Sequence, residues 1–124
     1  MNARVQDFLA EQLATRPEAP ALSDASGAAW SYADLDRARV ALAAELRSAG
    51  VQAGDRVLLM VENCVAAVAS LYAAWELDAV AIPVNARQTE AEVTRIIDHA
   101  TPAAVLLTCD VSPEAAAHAA RLNA

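Results

Sequence analysis

The chain has 124 residues, which is enough for one domain with a core of its own. Its net charge is −7, from 9 basic and 16 acidic residues, and this charge opposes binding to nucleic acid or to an anionic membrane surface. All 9 basic residues are arginines, so the chain cannot supply the lysine of a Walker-type loop or of a Schiff base. With 3 glycines it also cannot form a glycine-rich loop around a phosphate.

The composition also predicts where the protein works. No apolar run approaches the roughly 18–20 residues of a membrane span, and the amphipathic start, with its acidic residues, is unlike a signal peptide. Cys64 and Cys109 lie on or beside apolar runs and form no CxxC pair, which predicts reduced, structural thiols. His99 and His118 stand apart from acidic or thiol partners, so no metal site is predicted. We therefore expect a cytoplasmic protein with no membrane span.

Apolar residues recur at three- and four-residue spacing near the start of the chain and predict a first helix, which Pro17 ends. They are Val5, Phe8, Leu9 and Leu13.

A hairpin and a second helix follow. Ala19–Ser23 and Ala29–Tyr32 read as two short antiparallel strands around a turn that contains glycine. Ser31 and Asp34 have the spacing of a capping box, and apolar residues continue at helical spacing until Gly50 ends the helix.

Three continuous apolar runs then alternate with two helical patterns. The runs are Val57–Val61, Ala79–Val84 and Ala103–Thr108, and the helical patterns are Cys64–Leu77 and Glu90–Ala100. Continuous apolarity is typical of strands that are covered on both faces, and the intervening helices predict right-handed parallel crossovers. The expected fold class is therefore α/β, a partial doubly wound parallel sheet in the order β-α-β-α-β, with an N-terminal helix and a short hairpin.

Polar residues mark the starts of the later helices. Asn63 is in position to cap the Cys64–Leu77 helix. Thr89 and Glu92 form a second capping box. A last helix is predicted from the Ser112–Pro113 cap to Asn123.

Several motifs occur in a particular order and spacing: Pro17–Leu22, Trp30–Leu35, Gly50–Val57 and Pro83–Asn85. Together they resemble the N-terminal region of the acyl-CoA synthetases, in the adenylate-forming superfamily. The resemblance implies that residues 1–124 are the N-terminal portion of an AMP-binding domain, within a larger adenylate-forming N-terminal domain and truncated before the catalytic motifs.

The resemblance also implies an activity for the full-length parent. It would use ATP and Mg to join a small carboxylic acid to AMP and would then pass the acyl group to CoA. This segment is expected to bind no cofactor of its own and to hold no catalytic residue, and its partner would be the remaining part of the domain. Peptide-synthetase adenylation domains usually carry Asp-Pro-x-Tyr-Pro where this chain has Asn85–Thr89, which favours the acid–thiol ligase branch.

Arg87 in this turn is the candidate site residue. The resemblance implies a contact with a CoA phosphate, which a guanidinium can grip through charge-assisted hydrogen bonds. The alternative is a solvated arginine just before a helix. Asn85 is expected to bind its own turn. Two positions depart from the family pattern. Asp78 stands where glycine is usual, and a left-handed conformation is expected there. Ala86 stands where proline is common, and proline would make the turn more rigid.

A different class of function also fits the sequence: a self-contained small α/β module that binds a partner or forms oligomers without catalysis. It predicts a monodisperse protein that folds cooperatively. The N-terminal-portion hypothesis predicts unpaired strand edges and an uncovered apolar face, which would promote association.

Overall fold

The computed structural model describes residues 4–108 and 112–122. In chain order the elements are α1 (Val5–Thr15), β1 (Pro20–Ser23), β2 (Ala29–Ser31), α2 (Tyr32–Ser48), β3 (Arg56–Val61), α3 (Val65–Glu76), β4 (Val80–Asn85), α4 (Glu90–Ala100), β5 (Ala104–Leu107) and α5 (Pro113–Leu122). None of these helices is long and apolar enough to cross a membrane.

The main sheet has three parallel strands in the order β4-β3-β5. Val57 of β3 is paired with Ala81 of β4 on one side and with Ala104 of β5 on the other. The chain passes from β3 through α3 to β4, and then through α4 to β5, on the far side of β3. The predicted α/β class and the β-α-β-α-β order are confirmed. In the described ranges, the outer edges of β4 and β5 have no partner strand.

Helices cover both faces of the central strand. Val57 and Leu59 pack towards α2 and α3, whereas Leu58 and Met60 pack towards α4 and α5. All four side chains have an exposed fraction of 0%. The uncovered apolar face expected from the sequence is therefore not found at β3, because α4 and α5 provide the second layer.

The hairpin of β1 and β2 is antiparallel, as predicted, and it forms a sheet separate from the main one. Beside it, Leu9 of α1, Leu35 of α2 and Ala69 of α3 are buried together. Only part of the predicted apolar face of α1 is covered, since Val5 and Phe8 are 48% and 62% exposed. Apolar periodicity thus located the helix but not the extent of its packing.

Local capping signals are confirmed at three helices. The Ser31 amide donates to Asp34 Oδ2 at 2.9 Å, and the Asp34 amide donates back to Ser31 Oγ at 3.1 Å. The equivalent box joins Thr89 and Glu92 at 2.9 and 3.2 Å. Ser112 Oγ likewise accepts from the Ala115 amide at 3.0 Å, as expected for the cap of the last helix. Two predictions lie outside the described residues: the structural thiol of Cys109 and the end of the last helix at Asn123.

The prediction that Asn63 caps α3 is wrong. The residue at the cap position is Cys64, which makes no capping bond with its side chain. The first helical amide, that of Val65, instead donates to Oδ2 of Asp24 in the hairpin turn at 2.9 Å. A tertiary contact therefore replaces the local cap.

Asp78 has the left-handed conformation expected from its position after α3, with φ of 55°. The Ala79 amide donates to the Ala74 carbonyl at 3.0 Å, which is the long hydrogen bond of a Schellman helix end. A residue with a Cβ therefore occupies a position that favours glycine.

Candidate functional site

The carboxyl ends of β3, β4 and β5 meet at one edge of the sheet, because all three strands are parallel. A shallow cleft of about 260 Å³ lies at the β3–β4 part of this edge. It is lined by Val61, Glu62, Asn63, Pro83, Val84 and Asn85. Ligands of open α/β sheets bind in the crevice outside the carboxyl ends of the strands, so this edge is the expected location of a ligand-binding site.

The backbone of the turn after β4 is fixed on both sides of Arg87. Asn85 Oδ1 accepts a hydrogen bond from the Arg87 amide at 2.9 Å, which confirms the predicted Asx-type turn. Ala86 is fully buried in the cluster around α4. The Gln88 carbonyl lies 3.0 Å from Nε2 of His118 on α5. Packing of Ala86 and the hydrogen bonds of its neighbours therefore hold the turn, although Ala86 replaces the proline that is common at this position.

The Arg87 side chain extends from this turn and is 71% exposed. Its Nε lies 3.3 Å from Oε1 of Glu62, the residue that follows β3. Within residues 4–108 and 112–122, this carboxylate is the one acceptor that contacts the guanidinium. The terminal N–H groups of Arg87 can therefore bind the oxygens of an anion, as a phosphate offers them. Both sequence interpretations, the solvated arginine and the phosphate contact, fit this exposure.

Glu62 is held more firmly than its partner. Its side chain is 24% exposed. Its amide donates to Thr108 Oγ1 at the end of β5, at 3.0 Å. Ser112 Oγ, at the start of α5, lies 3.5 Å from the same Oε1 that contacts Arg87. The sequence analysis did not select Glu62, although an acidic residue directly after a buried parallel strand is a usable signal for the ligand-facing edge.

His118 connects α5 to the Arg87 turn and is 92% buried, with 8% exposure. The Gln88 carbonyl can only accept, so Nε2 of His118 carries the proton and Nδ1 accepts from Arg121 Nη2 at 2.5 Å. This histidine is part of a hydrogen-bonded contact between elements, whereas His99 is exposed on α4. The described part of the chain contains no group of three or more His, Cys, Asp or Glu side chains that could hold a metal ion.

A second cleft, of about 330 Å³, lies between the hairpin turn, the start of α3 and the end of β5. Its walls are mostly apolar and include Leu42, Val65 and Leu106. Cys64 also lines it and is partly exposed. Asp24 faces it, but this carboxylate already binds the α3 amide. Among the described residues that line the cleft, Asp24 is the one charged side chain, and it already serves as a helix cap.

Aromatic side chains make contacts within the chain and do not form an open stacking surface in the described contacts. Tyr72 and Trp75 of α3 make an edge-to-face contact with ring centroids 5.2 Å apart. Arg16 lies over the ring of Tyr32 at 5.6 Å. These rings contact one another or a neighbouring cation of the same chain.

Comparison with known proteins places the chain among larger enzymes. A family model described as AMP-binding enzyme matches residues 9–124. Enterobactin synthase component F of Escherichia coli (strain K12) is 33% identical over 106 residues, which are 86% of this chain and 8% of that protein. The 3-oxocholest-4-en-26-oate–CoA ligase of Rhodococcus rhodochrous is 31% identical over 106 residues, 86% of this chain and 19% of the ligase.

Solved structures give the same result. VinN superposes with a TM-score of 0.78 at 30% identity, over 83% of this chain and 26% of VinN. The inhibitor-bound N-terminal domain of FACL13 from Mycobacterium tuberculosis superposes with a TM-score of 0.78 at 27% identity, over 84% of this chain and 26% of that domain. This chain spans about a quarter of these structures and 8–19% of the two enzymes above. The chain belongs to the AMP-binding enzyme family, and its fold is that of the N-terminal part of the adenylate-forming enzymes.

Proposed function

We propose that this chain is the N-terminal portion of an ATP-dependent acid–thiol ligase, which forms an acyl-adenylate and then an acyl-CoA. Membership of the AMP-binding family supports the adenylate-forming step. The CoA branch is a finer proposal, since the relatives include Enterobactin synthase component F as well as a CoA ligase. The observation that carries it is the Asn85–Thr89 turn, which presents Arg87 at the carboxyl edge of the sheet.

The proposed reaction has two half-reactions. A carboxylate is a poor electrophile, so one of its oxygens first attacks the α-phosphorus of ATP, and pyrophosphate leaves. The CoA thiolate then attacks the acyl carbon, and AMP leaves with the electron pair of the broken C–O bond. ATP carries a magnesium ion in such reactions, which balances phosphate charge.

Arg87 would act only in the second half-reaction. Its exposed guanidinium can make charge-assisted hydrogen bonds to a phosphate of CoA, and the described residues place it on a fixed turn. Losing one partly exposed contact of this kind costs about 1–2 kcal/mol.

We further propose that the 124-residue chain alone does not catalyse adenylation. It has no lysine and 3 dispersed glycines, and its net charge of −7 opposes the approach of ATP. The remaining part of the adenylate-forming domain would supply the ATP, magnesium and acid sites. The cytoplasm remains the proposed location, on the sequence grounds given above.

The test measures the two half-reactions separately in a complete ligase that contains this chain. ATP–pyrophosphate exchange with a panel of carboxylic acids reports adenylation, and acyl-CoA formation reports thiol use. Arg87→Ala should lower kcat/KM for CoA by roughly 5–30-fold and leave exchange nearly unchanged. An equal loss in both half-reactions, or no loss in either, would contradict the role of Arg87.

Arg47 provides a matched control. It is an exposed arginine that lies 3.9 Å from a glutamate, Glu76, but it is on α2, away from the carboxyl edge of the sheet. Arg47→Ala should leave both half-reactions unchanged. The purified 124-residue chain should show no ATP–pyrophosphate exchange above a blank without protein. Exchange activity that copurifies with the chain would contradict the proposal that the chain alone does not catalyse adenylation.

A further inference from the structure

The pair of Glu62 and Arg87 joins a largely buried side chain to an exposed one. Arg87 is 71% exposed, so its long side chain would otherwise sample many rotamers. Glu62 is 24% exposed and contacts the Arg87 Nε at 3.3 Å. A bond to Nε leaves both terminal nitrogens of the guanidinium with their four N–H groups. The pair therefore restrains the arginine without using the groups that would bind a phosphate.

The restraint reaches Glu62 from two further elements. Thr108 Oγ1 accepts from the Glu62 amide at 3.0 Å and thereby fixes its backbone to the end of β5. Ser112 Oγ lies 3.5 Å from Glu62 Oε1 and is itself held by the Ala115 amide at the start of α5. Ser112 is 1% exposed, so this contact lies inside the protein rather than on its surface. Residues after β3, β4 and β5 are thus linked in one chain of contacts that ends at the Arg87 guanidinium.

A role in stability does not account for this arrangement. An ion pair with one strongly exposed partner contributes about 0–1 kcal/mol to folding. The core around β3 is closed without it, because the central residues Val57–Met60 are fully buried on both faces of the strand. What the contact does determine is the direction of a side chain that emerges next to the cleft at the carboxyl edge.

We infer that Glu62 is a positioning residue, which holds Arg87 so that its terminal amino groups bind a phosphate of the thiol substrate. The inference rests on the proposed function, because it deepens the role given there to Arg87. The ligand chemistry is an anionic phosphate, which takes two parallel N–H bonds from a guanidinium in a fixed plane. Holding the side chain in advance removes part of the entropy that binding would otherwise cost.

The inference is tested by substitutions at Glu62 in the complete ligase, with coenzyme A as the varied substrate. Glu62→Ala should raise KM for CoA by roughly 3–10-fold, the effect of freeing one rotamer-rich side chain. ATP–pyrophosphate exchange and the melting temperature should stay unchanged. Glu62→Gln keeps an oxygen that accepts from the arginine Nε and should remain within about twofold of the parent, since the hydrogen bond matters more than the charge. Glu62→Asp is too short to reach and should behave as Glu62→Ala.

The double variant Glu62→Ala/Arg87→Ala separates this inference from the proposed function. If Glu62 acts through Arg87, the double variant should be no worse for CoA than Arg87→Ala alone. If Arg87→Ala itself leaves CoA use unchanged, the proposed role of Arg87 fails. If Arg87→Ala weakens CoA use while Glu62→Ala and Glu62→Asp leave KM unchanged or lower it, the role of Arg87 stands and the positioning role of Glu62 is wrong. A loss of exchange together with CoA use in the Glu62 variants would show a structural role instead.

Discussion

Asp24 in the hairpin turn caps α3 by accepting a hydrogen bond from the Val65 amide, with Oδ2 and N 2.9 Å apart. The same carboxylate accepts from the Ser26 amide at 2.9 Å and from its hydroxyl. The bond from the Ser26 hydroxyl, followed by that from the Val65 amide, lowers the pKa of Asp24. The hairpin is therefore attached to α3 through one charged acceptor at a helix N-terminus, where a negative charge is favourable.

We expect Asp24→Ala to lower the melting temperature of the chain and to speed hydrogen exchange at the Val65 amide, because that amide loses its acceptor. Asp24→Asn keeps a side-chain oxygen at the same place and should have a smaller effect. Asn63→Ala is the control, since Asn63 is exposed and does not cap the helix. A melting temperature lowered as much by Asn63→Ala as by Asp24→Ala would contradict the assignment of the cap.

Three carboxylates have lowered pKa values, and we therefore expect the stability of the fold to decrease in acid. The pKa of Asp34 is lowered from its ordinary value of 3.8, chiefly by the Ser31 amide, and the pKa of Glu92 is lowered from 4.5, chiefly by the Thr89 amide. Asp24 is shifted in the same direction. For each carboxylate, the pKa in the folded state lies below the pKa in the unfolded state, so between these two pKa values the unfolded state binds more protons. The contribution of the carboxylate to the free energy of unfolding is therefore complete above the unfolded pKa and is lost as the pH falls through the folded pKa.

The free energy of unfolding should therefore fall as the pH is lowered below about 4, in denaturant titrations at a series of pH values. Asp34→Asn and Glu92→Gln should each be less stable than the parent at pH 7 and should lose less stability between pH 5 and pH 3. Equal slopes for the parent and both variants would show that these capping bonds do not contribute.

Local signals in the sequence predicted most of the fold. Each capping box is confined to four residues, such as Ser31 to Asp34, so it is readable without tertiary structure. The three apolar runs were located within one or two residues of β3, β4 and β5, but only β3 is buried on both faces as continuous apolarity predicts; β4 and β5 lie at the sheet edges and are partly exposed. The cap at Val65 could not be read in this way, because its acceptor is 41 residues earlier in the chain.

The candidate site was only partly predictable for the same reason. Arg87 was found from a turn motif, and Asn85 from its tendency to bind its own turn. Glu62 and His118 meet that turn only after the parallel strands align and α5 packs beside β5. Their contacts with Arg87 and Gln88 span 25 and 30 residues, distances over which composition and periodicity carry no information.

Substitutions in β3 should show that both layers of helices contribute to the core. Leu58 and Leu59 are fully buried on opposite faces of the strand. Leu58→Ala and Leu59→Ala should each lower the free energy of unfolding by about 2–5 kcal/mol, through lost burial and the cavity that remains. Val80→Ala, at a β4 position that is 50% exposed, should cost much less. A small effect of Leu58→Ala alone would mean that α4 and α5 do not form a packed second layer, and denaturant titration measures all three.

The two Schellman helix ends give a final prediction about backbone strain. Gly50 follows α2 with φ of 91°, and Asp78 follows α3 with φ of 55°. A Cβ added at Gly50 would meet no atom within 4 Å, so the cost of Gly50→Ala comes from the left-handed conformation alone and should be about 1 kcal/mol. Asp78→Gly should relieve the same strain, and the glycine variant should be about 1 kcal/mol more stable than Asp78→Ala. Within the described residues, the Asp78 carboxylate contacts the side chains of Arg4 and Gln6 at 3.4 Å, and both variants of Asp78 lose these contacts equally, so the comparison between them isolates the backbone effect. The three variants are compared by the midpoints of urea unfolding, and an Asp78→Ala variant as stable as Asp78→Gly would show that the φ of this residue does not limit stability.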